Sequence, residues 1–240
     1  MAGIGMARLL TARVPERSAV PFAAWLVLGS MLPDVDMYPT AVAFLAKWPD
    51  LINVIHRSLT HSLVLLVLLL VAGAFARKPA WRFGLWGLGI GISTHILLDT
   101  LFWFTQIDLF WPFSHLPSDA PLLPVVNLWA AYHMPPLFVN IREAFEYAAF
   151  ALLLYALLRI SPSDPYLAKW IRFAWCYFVV TLVTAFVFLE SPATQNVIVT
   201  GPYLLILLPV CWLAVWRDRG AIAVWAQGRP AVRLPADKAV

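Results

Sequence analysis

Histidine and aspartate residues gather in four short polar clusters in the first half of the chain, each beside an apolar stretch. Imidazole and carboxylate groups together are the usual ligands of zinc, manganese and iron ions. A divalent ion held by such groups can bring the pKa of its water close to 7 and polarise a phosphoryl or carbonyl oxygen. Hydrolysis is therefore the natural chemistry of this residue set. The clusters are residues 32–36, 56–62, 94–99 and 107–113.

His95 and Asp99 lie four residues apart inside a long apolar stretch. Side chains with this spacing share one face of a helix, so both can act on one centre. Ionisable groups within an apolar span are costly and usually functional, although a His–Asp pair that only locks helix packing is the alternative. The other clusters have simpler interpretations too: Asp34 and Asp36 as exposed turn residues after a proline, and His56 as an interfacial loop residue.

Six apolar segments must position these clusters. About 20 apolar residues in a helix cross the roughly 30 Å hydrocarbon core of a bilayer, and a helix satisfies its backbone hydrogen bonds in lipid. We predict an all-α, polytopic membrane helix bundle of about six transmembrane helices, forming a single membrane-embedded domain over residues 1–216. The predicted spans are residues 18–32, 60–76, 81–104, 144–160, 169–189 and 197–216.

Basic residues support this layout, because lysine and arginine concentrate in cytoplasmic segments. Of the 17 basic residues, all except Lys47, Arg57 and Arg142 fall on the side of the N-terminus when the six spans alternate in direction. Both termini are therefore predicted to be cytoplasmic. The same alternation brings all four polar clusters to the opposite, outer face, within residues 30–115.

Two regions lie outside the predicted spans. Residues 105–143 are rich in proline and aromatic residues and are predicted to form a long loop, a type of segment that often acts as a lid or binding element. Residues 217–240 are predicted to form a cytoplasmic, partly disordered tail. The first apolar segment lacks a small-residue cleavage site after it, so we interpret it as a retained anchor.

Composition fits a membrane protein better than a soluble one. Hydrophobic residues make up 62% of the chain and charged residues 12%, whereas soluble domains carry about 25% charged residues. The net charge is +4, but no basic patch with interleaved aromatics is present, so we expect the lipid bilayer as partner and no nucleic acid. Cys176 and Cys211 lie in apolar runs and are predicted to be reduced core residues.

The order and spacing of the polar clusters carry a family resemblance. Residues 32–36, the string His56-Arg57-Ser58-Leu59-Thr60-His61-Ser62, residues 95–99 and the pair Trp111-Pro112 follow one another within residues 20–115. In these pieces the chain resembles bacterial and archaeal inner-membrane proteins proposed to be metal-dependent hydrolases, some described as LexA-binding and membrane-associated. The resemblance implies a metal site formed by Asp34, His56, His61, His95 and Asp99.

One position departs from that family. Its members often carry a histidine after a glycine near the N-terminus, whereas Gly5 is here followed by Met6, and no histidine precedes His56. The family likeness therefore leaves one ligand without a counterpart in this chain. Nothing in the sequence indicates LexA binding, and we do not predict it.

The sequence thus predicts a multi-pass protein of a prokaryotic inner membrane that hydrolyses an ester or phosphoester, possible substrates being lipid-linked or amphipathic. Zinc or manganese is the expected ion. Asp36 or Asp108 would act as general base or orient a ligand, and Arg57 would pair with an anionic substrate oxygen. The alternative is a non-catalytic membrane protein with a structural metal or an ion or proton relay. A relay needs polar residues through the bundle, and the last three predicted spans contain few.

Overall fold

The computed structural model describes residues 2–48, 58–103, 107–115, 136–162, 165–187 and 201–228. These ranges form an all-helical structure without a β-strand. Short 3-10 turns and two π-helical turns connect the α-helices and complete their ends. In chain order the α-helices are α1 (Ala2–Leu10), α2 (Glu16–Gly29), α3 (Met37–Leu45), α4 (Leu63–Phe75), α5 (Pro79–Leu98), α6 (Pro136–Ile160), α7 (Pro165–Val187), α8 (Leu208–Arg217) and α9 (Arg219–Ala226).

Helices α2 and α5 pack against each other through glycine. A Cβ atom built on Gly87 would lie 2.4 Å from the carbonyl oxygen of Phe22, and one on Gly91 would lie 2.3 Å from that of Leu26. Neither position has room for a side chain, so the two backbones are in direct contact, as small residues allow in membrane helices. This contact sets the end of α2 beside the turn of α5 that carries His95.

The chain changes direction sharply after α2. A 3-10 turn, Pro33–Asp36, separates α2 from α3, and the segment Pro33–Leu45 is bent by 51° from α2. Proline at the start of the turn has no backbone N–H and fits a first helical position. The first predicted span, residues 18–32, thus corresponds to α2, and Asp34 and Asp36 lie in the bend.

Helix α4 starts at Leu63, three residues after the start of the predicted span, residues 60–76. A 3-10 turn covers Leu59–His61, and the N-cap of α4 is Ser62, whose hydroxyl accepts a hydrogen bond from the Val64 amide at 3.0 Å. Ser62 Oγ also donates to the Trp111 carbonyl at 2.7 Å. The cap therefore also fastens the segment that follows α5.

Helix α6 begins at Pro136, eight residues before the predicted span. Proline is favoured at the first helical position, since its missing N–H would have no partner there. The predicted loop over residues 105–143 is shorter at this end. Helices α6 and α7 pack through aromatic rings: the centroids of Tyr147 and Tyr177 are 5.0 Å apart, and those of Phe145 and Phe178 are 5.4 Å apart.

The chain after Arg217 is not a disordered tail as far as the structure describes it. Helix α9 packs on α2 and buries Ile222 and Ala226 completely or nearly so. The Arg8 guanidinium donates a hydrogen bond to the Trp225 carbonyl and lies over the Trp225 ring. Helix α1, for which the sequence carried no prediction, therefore joins α9 against α2. Residues 229–240 lie outside the described ranges.

Within the described ranges, one helix is both long and apolar enough to cross a bilayer, α7 over Tyr166–Val187, with a mean hydropathy of 1.7. A second candidate arises if α2 and the bent segment Pro33–Leu45 count as one broken span. The apolar segments Leu63–Phe75 and Tyr203–Arg217 are shorter. The number of spans and the orientation of the termini therefore stay predictions. Large apolar side chains are exposed on several helices, among them Val67, Leu68, Val71, Phe75, Val179, Val183 and Phe186.

Candidate metal centre

Three chain segments bring the predicted ligands together at one end of the α2–α5 contact. His61 comes from the turn before α4, His95 from the last turn of α5, and Asp99 from the π-helical turn Asp99–Trp103 that continues α5. One ligand atom from each of these residues lies within 4.8 Å of the others. Asp34, in the bend after α2, contacts the same group. This cluster could hold a metal ion.

The distances within the cluster resemble those between ligands of one ion. His61 Nε2 lies 3.3 Å from Asp99 Oδ2, and His95 Nε2 lies 3.4 Å from the same oxygen and 3.5 Å from Asp34 Oδ1. Ordinary N–H···O bonds are about 2.7–3.2 Å long. Tetrahedral ligands about 2.0–2.1 Å from a zinc ion are about 3.3–3.4 Å from one another. The observed separations therefore fit atoms that share a cation.

The tautomer of His95 follows from its neighbours. Its Nδ1 lies 3.0 Å from the carbonyl oxygen of Ser30. A carbonyl oxygen only accepts, so Nδ1 carries the hydrogen and donates. Nε2 is buried without a hydrogen-bond partner and faces the carboxylates of Asp34 and Asp99. An unprotonated Nε2 would direct its lone pair at two carboxylates, which is unfavourable unless a positive charge, either a proton or a metal ion, lies between them. A metal ion at this point would satisfy all three groups.

His61 is oriented from behind by a carboxylate. Asp36 Oδ2 lies 3.4 Å from His61 Nδ1 and accepts a hydrogen bond from Thr60 Oγ1 at 2.9 Å. The Asp36 carboxylate is buried, and its position leaves His61 Nε2 directed at Asp99. Metal-binding histidines commonly present their second nitrogen to a carboxylate or a backbone carbonyl in this way. The Nδ1 atom of His61 faces the Asp36 carboxylate, and that of His95 faces the Ser30 carbonyl.

Three residues of the centre had no functional prediction from the sequence. Ser30 contributes a backbone carbonyl, which leaves no side-chain signal. Thr60 stands at the start of a predicted span, yet its hydroxyl donates to Asp36. Tyr203 donates a hydrogen bond to Asp34 Oδ2 at 2.5 Å from a point 169 residues further along the chain. In sequence Tyr203 is one of several aromatic residues inside apolar segments, within the predicted span 197–216.

Comparison with known proteins places the chain in a family. A family model described as YdjM inner membrane protein matches residues 1–191. The chain belongs to the YdjM inner membrane protein family. The match includes His61, His95 and Asp99, whereas Tyr203 lies beyond it. No curated protein and no solved structure matches the chain.

The YdjM assignment agrees with the sequence-based resemblance in one respect, membership of an inner-membrane family. The family description names neither a metal nor a hydrolytic activity nor LexA. The inner membrane is therefore the location indicated for this chain. Its chemistry has to be argued from the geometry of the cluster.

Asp108 is the one remaining predicted site residue of this YdjM-family chain that lies within the described ranges. Asp108 is buried and accepts hydrogen bonds from the Ser114 hydroxyl. Its segment is tied to the start of α4, where the Leu63 amide donates to the Leu109 carbonyl at 2.8 Å. His56 and Arg57 fall outside the described residues.

Proposed function

We propose that this protein is a membrane-embedded, divalent-metal-dependent hydrolase whose ion is held by Asp34, His61, His95 and Asp99. The observation that carries the proposal is the buried Nε2 of His95, which has no hydrogen-bond partner and faces two carboxylates at 3.4 and 3.5 Å. Both histidines have their other ring nitrogen beside an oxygen atom. The donor set is therefore oriented towards one point.

Two imidazole nitrogens and two carboxylate oxygens form a mixed donor set that suits zinc or manganese. An ion bound there would polarise an ester carbonyl or phosphoryl oxygen and acidify a water molecule. The protein's contribution is to fix the donors before the ion arrives. Asp36 and Asp108 were the two candidates for the general base. Asp36 has the contacts of a residue that orients His61, so Asp108 is the remaining candidate. Arg57, next to Ser58, would pair with an anionic substrate oxygen.

The exposure of the four donors favours a catalytic over a structural ion. The side chain of Asp34 is 27% exposed, compared with 13% for Asp99 and 2% for His61. Four protein donors close a tetrahedral zinc site, so catalysis would need an ion with a further coordination position for water, as octahedral manganese has or as zinc gains on becoming five-coordinate. The exposed side of Asp34 is the side from which water or a substrate would reach that position.

An amphipathic or lipid-linked substrate suits this opening. Helix α3 starts directly after Asp36 and exposes Val42, Phe44 and Leu45. An apolar tail could lie along these side chains while the ester reaches the centre. We further propose six spans with both termini in the cytoplasm and the centre near the outer leaflet. The inner-membrane family and the apolar side chains exposed on α4 and α7 support a lipid environment.

The relay alternative has less support. A relay needs a polar path through the bundle. The two threonine hydroxyls of α7 bond to their own helix: Thr181 Oγ1 donates to the Tyr177 carbonyl at 2.9 Å, and Thr184 Oγ1 donates to the Thr181 carbonyl at 3.0 Å. These bonds do not extend a path from the cluster.

Metal content tests the centre directly. The wild-type chain, His61→Ala and Asp99→Ala would be purified in detergent, loaded with zinc or manganese, desalted and analysed by mass spectrometry. We expect a bound ion in the wild type and background levels in both variants, because each variant removes a donor. The matched control is Asp218→Asn, which alters a buried carboxylate beside Arg217 at the α8–α9 junction. Wild-type metal content in His61→Ala and Asp99→Ala would refute the centre.

Activity separates a catalytic from a structural ion. Purified protein would be assayed against generic phosphoester and carboxyl-ester substrates, with and without a chelator. Hydrolysis that disappears with chelator, returns with metal and is absent in His61→Ala supports the hydrolase. A fully metal-loaded protein with no such hydrolysis supports a structural ion instead.

A further inference from the structure

Tyr203 links the C-terminal part of the chain to the metal centre. It lies in the π-helical turn Tyr203–Leu207 that precedes α8 and is 4% exposed. Its hydroxyl donates to Asp34 Oδ2 at 2.5 Å, while the other oxygen of that carboxylate, Oδ1, faces His95 Nε2. The two oxygens of Asp34 therefore have separate neighbours. One is fixed by the phenol and the other is left for the centre.

Tyr203 and its turn have two further contacts. The Phe150 ring packs edge-on against the Tyr203 ring, with centroids 5.3 Å apart. The Tyr38 hydroxyl, from α3, donates to the backbone carbonyl of Leu204 at 2.7 Å, and this bond reaches neither the Tyr203 phenol nor Asp34. A π-helical turn interrupts the regular backbone ladder, and such turns often occur at functional sites.

Asp34 needs such support more than the other donors. It is the most exposed of the four, and it stands on a short 3-10 turn rather than on a long helix. An aspartate side chain in that setting can rotate away from the centre. A hydrogen bond to a carboxylate is stronger than one between neutral groups, so the phenol selects the rotamer in which Oδ1 faces His95.

We propose that Tyr203 is a positioning residue that presents Asp34 as a single-oxygen ligand of the metal. This inference rests on the proposed metal centre and extends it to a residue outside the segment matched by the YdjM family model, residues 1–191. It makes the turn before α8 a working part of the site. The competing explanation is a hydrogen bond that only packs α8 against the bend.

A pair of tyrosine variants separates these explanations. Tyr203→Phe removes the hydroxyl that binds the carboxylate and keeps the ring on Phe150. Tyr38→Phe is the matched control, because it removes a hydroxyl that binds a backbone carbonyl one residue away in the same turn. Zinc affinity would be measured by competition with a chromophoric chelator, and the ligand geometry by the visible absorption of the cobalt-substituted protein.

For Tyr203→Phe we expect zinc affinity to fall about tenfold to a hundredfold, the range for partners that orient metal ligands. For Tyr38→Phe we expect zinc affinity to stay within about twofold of wild type, because no such partner is removed. The cobalt spectrum should change in the first variant alone. Zinc affinity and cobalt spectra that are unchanged in Tyr203→Phe would overturn the proposal. Equal losses in both tyrosine variants would overturn it too, since they indicate packing.

A second measurement separates a role through Asp34 from a general loss of folding in Tyr203→Phe. Asp34→Ala should weaken zinc binding at least as much, because it removes the ligand itself, and adding Tyr203→Phe to it should cause no further loss, because the phenol acts through that carboxylate. A further loss in the double variant contradicts the positioning role. A wild-type chain that binds no zinc or cobalt removes the proposed function, and this inference with it. If the wild type binds metal and Tyr203→Phe has the same zinc affinity and cobalt spectrum, only this inference is refuted.

Discussion

The α2–α5 contact and the α6–α7 hairpin are both extensive helix pairs, but they are packed in opposite ways. Gly87 and Gly91 bring the α2 and α5 backbones together with no side chain between them. The α6–α7 pair is filled by rings instead, with Tyr147 and Tyr177 centroids 5.0 Å apart and Phe145 and Phe178 centroids 5.4 Å apart. The candidate metal centre is at the end of the glycine contact.

This difference shows what each contact has to achieve. Backbone in direct contact leaves no side chain that can adjust, so the depth and rotation of α5 on α2 are fixed. The 3.0 Å contact from His95 Nδ1 to the Ser30 carbonyl depends on that fit. The rings between α6 and α7 carry none of the four proposed ligands, so a small shift of those rings need not move the centre. The ligand positions at the centre tolerate little movement of α5 on α2, whereas the α6–α7 hairpin tolerates more.

The largest effect is expected from Gly91→Ala, which attacks the fixed contact. The added methyl group would meet the Leu26 carbonyl oxygen at 2.3 Å and the Gly29 backbone at 2.8 Å, so the helices must separate. Overpacking of this kind costs about 1–3 kcal/mol. We expect lower thermal stability in detergent and bound metal reduced to background, because His95 no longer reaches Ser30.

Gly5→Ala is the control for that experiment. Gly5 is also in a helix, α1, but nothing lies within 4 Å of a Cβ placed there. An alanine at such a position should leave metal content unchanged and stabilise the helix by about 0.5–1 kcal/mol. If Gly91→Ala kept full metal content, the glycine contact would not be what positions the centre.

The core of the candidate site could be predicted because its signals are local. His95 and Asp99 are four residues apart inside an apolar segment, and that spacing already places them on one helical face. The alternation of apolar segments then brought the turns carrying Asp34 and His61 to the same end. No distant contact had to be known for either step, and the structure places all four residues together.

The supporting groups could not be predicted, for physical reasons that differ from residue to residue. The Ser30 carbonyl belongs to the backbone, which every residue has. Tyr203 reaches Asp34 across 169 residues, a contact created by tertiary packing. Helix α9 lies in the segment predicted to be a partly disordered tail, yet it packs on α2 and buries Ile222. Local patterns carry no information on such partners.

A smaller effect is expected from Asp36→Asn, which leaves the helix contact intact and changes the group behind His61. The amide keeps the shape of the carboxylate but loses its charge and offers donors where Thr60 Oγ1 and His61 Nδ1 now approach Asp36 Oδ2. Loss of such a partner usually costs about tenfold to a hundredfold in metal affinity. We expect that loss in a zinc competition titration, with little change in thermal stability.

Thr40→Ala is the control for Asp36→Asn. The Thr40 hydroxyl donates to the backbone carbonyl of Asp36 at 2.8 Å and not to its carboxylate. Its removal should leave zinc affinity unchanged. If the Asp36 carboxylate only stabilised the local turn, Asp36→Asn and Thr40→Ala would have similar zinc affinities. That result would refute the orienting role of Asp36.

The smallest effect on the centre is expected from Phe178→Leu in the α6–α7 hairpin. The substitution removes the ring packed edge-on against Phe145 of α6, with centroids 5.4 Å apart, and one edge contact to Trp175 of α7, with centroids 5.7 Å apart. Aromatic pairs contribute about 0.5–1.5 kcal/mol beyond their buried area, so thermal unfolding should shift to a lower temperature. Zinc affinity and the cobalt spectrum should stay at wild-type values, since rings elsewhere in the hairpin can adjust. A loss of metal in this variant would mean that the hairpin also sets the position of the ligands, and the contrast between a fixed and a permissive contact would fail.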